Sequence, residues 1–251
     1  MPYYSCPAFG SLSWLRHGFS TRRGFADEGV FNPDSGALER VNENHRGLLR
    51  VLGLENPALI SLNQSHSDRV CVVETGYREF SAARYEGDAL VTNTKNSALT
   101  IKTADCFPIL IADPVHRAVG AVHSGWRGTL LGILPGTIRE MRRRFQSDPA
   151  RLLFALGPGI RECCFEVGED VARLFIKTYP EKSTARPHPA APGKYLVNLA
   201  SVLRTQMTQS GVPLENQHDS GMCTCCNTRD FFSWRAEGAT AGRMMSVIAI
   251  V

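Results

Sequence analysis

Short apolar runs separated by polar turns dominate the chain, and only a few stretches carry the 3.6-residue spacing of an amphipathic helix. Trp14 to Thr21 reads as a strand entering a glycine-containing loop. From about Ser35 to Leu52 the apolar positions Leu38, Val41, Leu48, Leu49 and Leu52 predict a helix closed by Gly53. Strands are then predicted at Ala58–Leu62, Val70–Val73, Ala89–Thr92, Ala98–Ile101, Pro108–Ala112 and Ala118–Val122. Helical spacing returns from Gly128 to Phe145, where Pro135 has to kink or split the helix. Leu152–Leu156 and Met245–Val251 read as buried strands, with helices near Asp170–Tyr179 and Asn198–Gly211. The strands come in groups rather than alternating with helices. That favours an α+β fold, with mixed β-sheets flanked by helices, over a doubly wound parallel one. The proline-rich stretch 186–193 reads as a surface loop rather than a boundary, because patterned sequence resumes at once. One domain over residues 1–251 is expected.

Composition narrows the class. The 251 residues are 43% apolar and 21% charged, ordinary values for a globular protein. A net charge of +4 is weak for a dedicated nucleic-acid binder, so no nucleic-acid partner is expected. No apolar run approaches the ~18 residues that cross a bilayer, and the N-terminus lacks the pattern of a secretory signal. No membrane partner is expected either. Of the eight cysteines, two pairs are adjacent (Cys163-Cys164 and Cys225-Cys226), which argues against a disulfide framework. The expectation is a cytoplasmic protein with reduced thiols, some of them ligands or nucleophiles.

Three phrases place polar, ligand-type residues at the ends of apolar strands: Asn63-Gln-Ser-His66, Lys102-Thr-Ala-Asp-Cys106 and Ala121-Val-His123-Ser-Gly-Trp-Arg127-Gly128. His66, Cys106 and His123 would give zinc two imidazoles and a thiolate, leaving a fourth tetrahedral position open as catalytic sites require. Their separation follows no local ligand spacing. On residue chemistry alone a Cys106–His123 nucleophilic dyad is an equal reading, and buried structural side chains are the plainer one. The basic run Arg139-Glu-Met-Arg142-Arg143-Arg144 is accounted for by a helix C-terminus. Met222-Cys-Thr-Cys-Cys226 has the look of a metal fragment, but no partner pair at structural-zinc spacing is visible. Cys225 and Cys226 therefore read as bystanders or oxidation-prone thiols.

Taken together, several phrases resemble the bacterial YfiH/YlmD, or laccase-domain, family. They are His17-Gly-Phe-Ser-Thr-Arg22, Gln64-Ser-His66, Gly87-Asp-Ala-Leu-Val-Thr92, Thr103-Ala-Asp-Cys106, His123-Ser-Gly-Trp-Arg-Gly128, Gly157-Pro-Gly-Ile160, Phe165-Glu-Val167, Cys223-Thr224, Phe232-Ser233 and Gly242-Arg243. They run in the family's order across nearly the whole chain. The resemblance implies an α+β domain with zinc on His66, Cys106 and His123. One departure stands beside the site: the family usually has glycine after the first His, and here it is Ser67, which suggests a different backbone angle.

The activity implied is purine nucleoside chemistry: phosphorolysis of adenosine, inosine, guanosine and 5′-methylthioadenosine, with deamination of adenosine. Purine nucleosides and phosphate are then the expected partners, and the chain is expected as a monomer or weak homo-oligomer. For deamination, zinc lowers the pKa of water for attack at C6, and a carboxylate moves the protons. Asp105 and Asp88 are the candidates, with a turn or cap role as the alternative for each. Phosphorolysis needs phosphate held by arginine forks, for which Arg22 and Arg127 are candidates, a structural ion pair being the alternative. Two other classes stay in view. One is a copper-dependent, laccase-like polyphenol oxidase, since copper can substitute for zinc at such donors. The other is a cysteine hydrolase using Cys106 and His123 on amide bonds of cell-wall precursors. A non-enzymatic binding module leaves the open three-donor set unexplained.

Overall fold

The structure is a computed structural model that describes residues 2–23, 38–74, 85–181 and 183–251. In chain order its first half comprises β1 (Tyr3–Tyr4), β2 (Leu15–Ser20), α1 (Leu38–Val51), β3 (Ala58–Ile60), β4 (Val70–Val72), β5 (Ala89–Thr92), β6 (Ser97–Thr103), β7 (Phe107–Asp113) and β8 (Ala118–Ser124). Then follow α2 (Trp126–Leu131), α3 (Ile133–Phe145), β9 (Leu153–Leu156), β10 (Glu166–Gly168), α4 (Glu169–Thr178), β11 (Ala185–Pro187), β12 (Lys194–Val197), α5 (Leu199–Gln209), β13 (Gln217–Asp219), α6 (Trp234–Glu237) and β14 (Met244–Ile250). The α+β class with mixed sheets is observed. The start of the first predicted helix, residues 35–37, lies outside the described residues.

Two sheets build the body. One has the order β1-β2-β14-β6-β3 and the other β13-β9-β7-β8-β5-β4, while β10-β12-β11 form a small antiparallel sheet at one side. Both large sheets are mixed: β3 runs parallel to β6, β4 to β5 and β13 to β9, and the remaining pairs are antiparallel. Every residue of β7 and β8 is buried, the mark of a strand covered on both faces. The two-residue alternation divides β7 between two cores. Ile109 and Ile111 join Leu134, Ile138, Phe175 and Leu203 from the helices, whereas Leu110 and Ala112 meet Phe19, Leu99, Ile101 and Ile248 of the other sheet. The outer face of the five-stranded sheet is closed by Leu48 and Leu49 of α1 and by Leu52 just past its end. The layers therefore run helix, sheet, sheet, helices.

Differences from the sequence reading have local causes. The helix expected over 128–145 is two helices, α2 and α3, broken at Gly132 with φ 82°. Pro135 has no N–H to offer the carbonyl of Leu131, so a continuous helix would lose that bond and meet the ring. Past the break, Pro135 occupies the first turn of α3, where no donor is missed. The loop assigned to 186–193 begins as an edge strand, for Arg186 and Pro187 pair with Leu196 and Tyr195. Pro187 is tolerated there because an edge strand need not donate on its open side.

Two motif residues serve the fold. A Cβ on Gly157 would lie 2.4 Å from Cδ1 of Phe19 and 2.8 Å from Cγ of Pro108, so only glycine lets the two sheets close here. His17, on β2, accepts the Cys6 N–H through Nε2 at 2.9 Å and stands edge-on to Phe9. Burial lowers its pKa to about 4, against a weaker upward contribution from the Cys6 bond. His45 is likewise lowered to about 4, by burial and then by Lys102.

Gly157→Ala is expected to destabilise the fold by about 1–3 kcal/mol, the usual range for overpacking, read as a fall in urea midpoint. The pH dependence follows from the two histidines. The unfolded chain takes up protons near 6.5, whereas the folded chain resists until about 4. Their contribution to stability is therefore full above pH 6.5 and falls away as pH drops from 6.5 towards 4. In His17→Gln that fall should shrink, and an unchanged pH profile would refute a buried neutral imidazole.

Candidate metal centre

The site forms where the chain passes from one large sheet to the other. β6 belongs to the five-stranded sheet and β7 to the six-stranded one, so the link Ala104-Asp105-Cys106 crosses between them. Strand register then supplies the neighbours. Phe107 pairs with Ser124 and Pro108 with His123, which sets Cys106 beside the end of β8. Ala89 pairs with Val122, which sets Asp88 beside His123. Gln64 anchors the third segment to β6: its amide donates to the Lys102 carbonyl and accepts the Lys102 N–H, each at 2.8 Å.

The ligand atoms of His66, Cys106 and His123 all lie within 4.8 Å of one another. Cys106 Sγ is 3.8 Å from His66 Nε2, and the two imidazole rings stand edge to face at 4.9 Å. A metal ion about 2.0–2.3 Å from each donor sets spacings of this size. The donor set suits a borderline-soft divalent ion. Space fits as well, because a Cβ on Gly125 would sit 2.8 Å from His66 Cδ2 and 2.9 Å from Cys106 Sγ. The three residues can hold a metal.

Behind the donors, the Asp88 carboxylate is fully buried. It accepts the Ser65, His66 and Ser67 N–H groups at 3.3, 3.0 and 2.6 Å, the Ser67 hydroxyl at 2.7 Å, and Nδ1 of His123 at 2.7 Å. Burial pushes its pKa up, but the bonds from His123 and Ser67 outweigh that and leave it at about 2. His123 and Cys106 sustain each other as an ion pair. Burial opposes both charges; the partner's charge prevails, with Asp88 and His66 assisting, so the imidazole rises to about 9 and the thiol falls to about 6. A different backbone angle was expected at Ser67, and the left-handed residue of this loop is the one before it. His66 has φ 60°, and Ser67 is not among the left-handed residues.

The donors stand in a cavity of about 560 Å³, a size that takes a small-molecule ligand. Its wall carries four cationic side chains, Lys102, Arg127, Arg235 and Arg243, and the aromatic rings of Trp126, Phe165 and Trp234. Arg127 lies over the Trp126 ring at 4.3 Å. The Arg235 guanidinium is fixed on the Cys164 and Glu166 carbonyls at 3.1 and 2.8 Å. Arg243 stands over Trp234 at 5.5 Å. Asp105 is the one carboxylate on this wall among the described residues. With φ 87°, it accepts the Thr224 hydroxyl at 2.6 Å and the Arg235 N–H at 2.7 Å.

Of the residues singled out in the sequence, the structure thus brings His66, Cys106, His123, Asp105 and Arg127 together. Asp88 sits behind them, off the cavity wall. Arg22 is elsewhere: it donates to the Thr228 carbonyl and to Glu237, each at 2.7 Å, and covers Phe232. Lys102, Trp234 and Arg235 were missed as site residues. They lie at the end of β6 and in the short helix α6, with no local signal of their own.

Residues 16–251 match the family described as multi-copper polyphenol oxidoreductase laccase. A purine nucleoside phosphorylase of Bacteroides thetaiotaomicron is 30% identical over 254 residues, covering 97% of this chain and 94% of that one. The protein named adenosine deaminase RL5, from an unknown prokaryotic organism, is 34% identical over 214 residues, covering 83% and 81%. The crystal structure of YlmD from Geobacillus stearothermophilus matches with a TM-score of 0.89 at 28% identity, covering 100% of this chain and 96% of that one. That of YfiH from Bacillus licheniformis matches with a TM-score of 0.88 at 27% identity, covering 96% and 94%. No helix among the described residues is long and apolar enough to cross a membrane. A match running from residue 16 to the end, on a backbone that superposes over nearly its whole length, makes this chain a member of the YfiH/YlmD laccase-domain family.

Proposed function

We propose that this chain is a zinc-dependent purine nucleoside enzyme that cleaves adenosine, inosine, guanosine and 5′-methylthioadenosine with phosphate and deaminates adenosine. The observation that carries the reading is the pairing of a two-His-one-Cys donor set with a cavity wall of cations and aromatic rings. Flat rings stack on a purine, and guanidinium groups hold phosphate through charge-assisted forks. The names of the relatives support the same class of substrate.

Bound at His66, Cys106 and His123, zinc supplies Lewis acidity and brings the pKa of water towards neutrality. Asp88 acts by position. By accepting a hydrogen bond from the Nδ1–H of His123 it keeps that nitrogen protonated, so that Nε2 is the one to bind a metal, and its bonds to residues 65–67 hold His66 in place. Asp105 is the group placed to carry protons. Thr224 and the Arg235 N–H each donate to one of its oxygens, and from the cavity wall its carboxylate would receive a proton and return it to departing ammonia. Arg127 makes no hydrogen bond to the protein among the described residues, so its donors are available to phosphate. Arg235 and Arg243 are held on backbone carbonyls and supply fixed positive charge. Arg22, with its donors on Thr228 and Glu237, keeps the late loop in place instead.

The oxidase reading is weaker here. Several coppers need many imidazoles, and among the described residues one metal-competent cluster contains any. The thiol-hydrolase reading rests on the stabilised Cys106 thiolate, which is the same atom a metal would occupy.

Metal-analysed protein is expected to release free base from adenosine and inosine only when phosphate is present. Cys106→Ala should lose both the metal and the release. If zinc-loaded protein turns over no nucleoside while Cys106 alkylates readily, the nucleoside reading fails and the hydrolase takes its place. Arg127→Ala is expected to raise the KM for phosphate about tenfold or more, the worth of one charged hydrogen bond, while deamination stays within about twofold. An equal loss in both reactions would remove Arg127 from the phosphate. Asp88→Asn should weaken metal retention about 10–100-fold, measured against a chromogenic chelator; unchanged retention would show that His123 needs no carboxylate behind it.

A further inference from the structure

Four further thiols converge on the far side of the loops that close the cavity. Cys163 and Cys164 lie in the turn that follows Gly157-Pro-Gly-Ile160, and Cys223 and Cys226 lie in the late loop. The two loops are joined by backbone. Gly159 bridges Cys223, the Gly159 N–H donates to the Met222 carbonyl at 3.3 Å, and the Thr224 N–H donates to the Gly159 carbonyl at 3.2 Å. That zipper sets Cys223 beside Arg161 and brings Cys226 against the adjacent pair. The sulfur of Cys226 is 3.5 Å from that of Cys163 and 3.3 Å from that of Cys164, and all four ligand atoms lie within 4.8 Å of one another.

We propose that Cys163, Cys164, Cys223 and Cys226 form a second metal site, a closed tetrathiolate site for zinc, distinct from the His66–Cys106–His123 centre. Four sulfurs at about 2.3 Å from one ion stand about 3.8 Å apart in a tetrahedron, close to the spacing seen here. Cys223 and Cys226 have the Cys-x-x-Cys spacing of structural zinc ligands. The partner pair that the sequence did not reveal is Cys163-Cys164, hidden because its two members are adjacent. The surroundings also suit a thiolate cluster: the Arg161 N–H donates to Cys223 Sγ at 3.4 Å, and the Arg235 guanidinium is bonded to the Cys164 carbonyl at 3.1 Å. Cys225 takes no part and packs against the apolar core instead.

The site fastens two segments that shape the cavity. Ile160 and Phe165 flank the first pair, and Trp234 and Arg235 follow the second. Between the two centres stands Thr224, next to Cys223, with its hydroxyl on Asp105 at 2.6 Å. A metal on the four thiols would therefore fix the loop that supports Asp105, without touching the cavity.

Metal content of protein purified without added metal tests this directly, by elemental mass spectrometry on a per-chain basis. Wild type is expected to carry two zinc equivalents, Cys106→Ala one, the double variant Cys163→Ser/Cys226→Ser one, and all three substitutions together none. The first two samples decide the matter even if the double variant fails to fold. As a second readout, cobalt exchanged into Cys106→Ala should keep strong thiolate-to-cobalt absorption in the near ultraviolet. A single equivalent in wild type that disappears in Cys106→Ala would overturn the proposal. So would an intact mass lighter by two hydrogens with Cys226 disulfide-linked to Cys163 or Cys164.

Discussion

The centre depends on one buried carboxylate. Asp88 has no contact with water and accepts from five donors, three of them consecutive backbone N–H groups of the loop that carries His66. Burial of a carboxylate is costly unless such bonds compensate for lost hydration. Here the compensation does two jobs. Three N–H groups converging on one anion bend residues 65–67 inward and hold His66 in a left-handed conformation that a non-glycine residue rarely adopts. The fifth donor orients His123. A single anion thus aligns two candidate metal ligands, one on a loop and one on a strand.

The loop's own sequence adds to this arrangement. With glycine after His66, the family's usual residue, Asp88 would still have the backbone donors. Ser67 adds a hydroxyl donor at 2.7 Å. Because φ is positive at His66 and not at residue 67, serine takes the place of glycine without backbone strain. The departure that suggested a changed loop has instead brought one more bond to the group that holds the loop.

What the sequence revealed follows how each element earns its stability. β5, β7 and β8 are buried on both faces, so their apolar runs stand out, and Ala89–Thr92 was placed to the residue. β10, β12 and β13 are only three or four residues long and none is buried throughout, so no two-residue alternation stands out in hydropathy. The same contrast holds at the site. Resemblance picked out His66, Cys106 and His123 at strand ends, but their convergence rests on the Phe107–Ser124 and Ala89–Val122 registers, which no local pattern encodes. Arg22 and Arg127 were equal candidates in sequence, Arg22 following Ser20-Thr21 in a polar loop and Arg127 leading into the helix at Gly128. Only the tertiary structure separates an arginine bonded to Thr228 and Glu237 from one stacked over Trp126 at the cavity.

The cavity is also asymmetric in a way that bears on its chemistry. His123 stands on the buried strand β8 and Cys106 directly precedes buried β7, whereas His66 is exposed on the loop between β3 and β4. The cations, the aromatic rings and the partners of Asp105 come largely from loops after Gly157 and after Ser220. Rigid sheet positions Cys106 and His123, and hydrogen bonds to Asp88 and Lys102 tie the His66 loop to it, where misplacement of an ångström would lose an ion. The opposite wall lacks such a framework. Gly159 N–H bonding, the Arg161–Asp219 ion pair and the Arg235 contacts to two carbonyls do for it what the ladder does for the donors. A metal held by the four thiols would add a further tie where those two loops meet. Substrate groups would contact the wall that such ties stabilise, so the precision of binding and the precision of metal coordination come from different physical sources in the same fold.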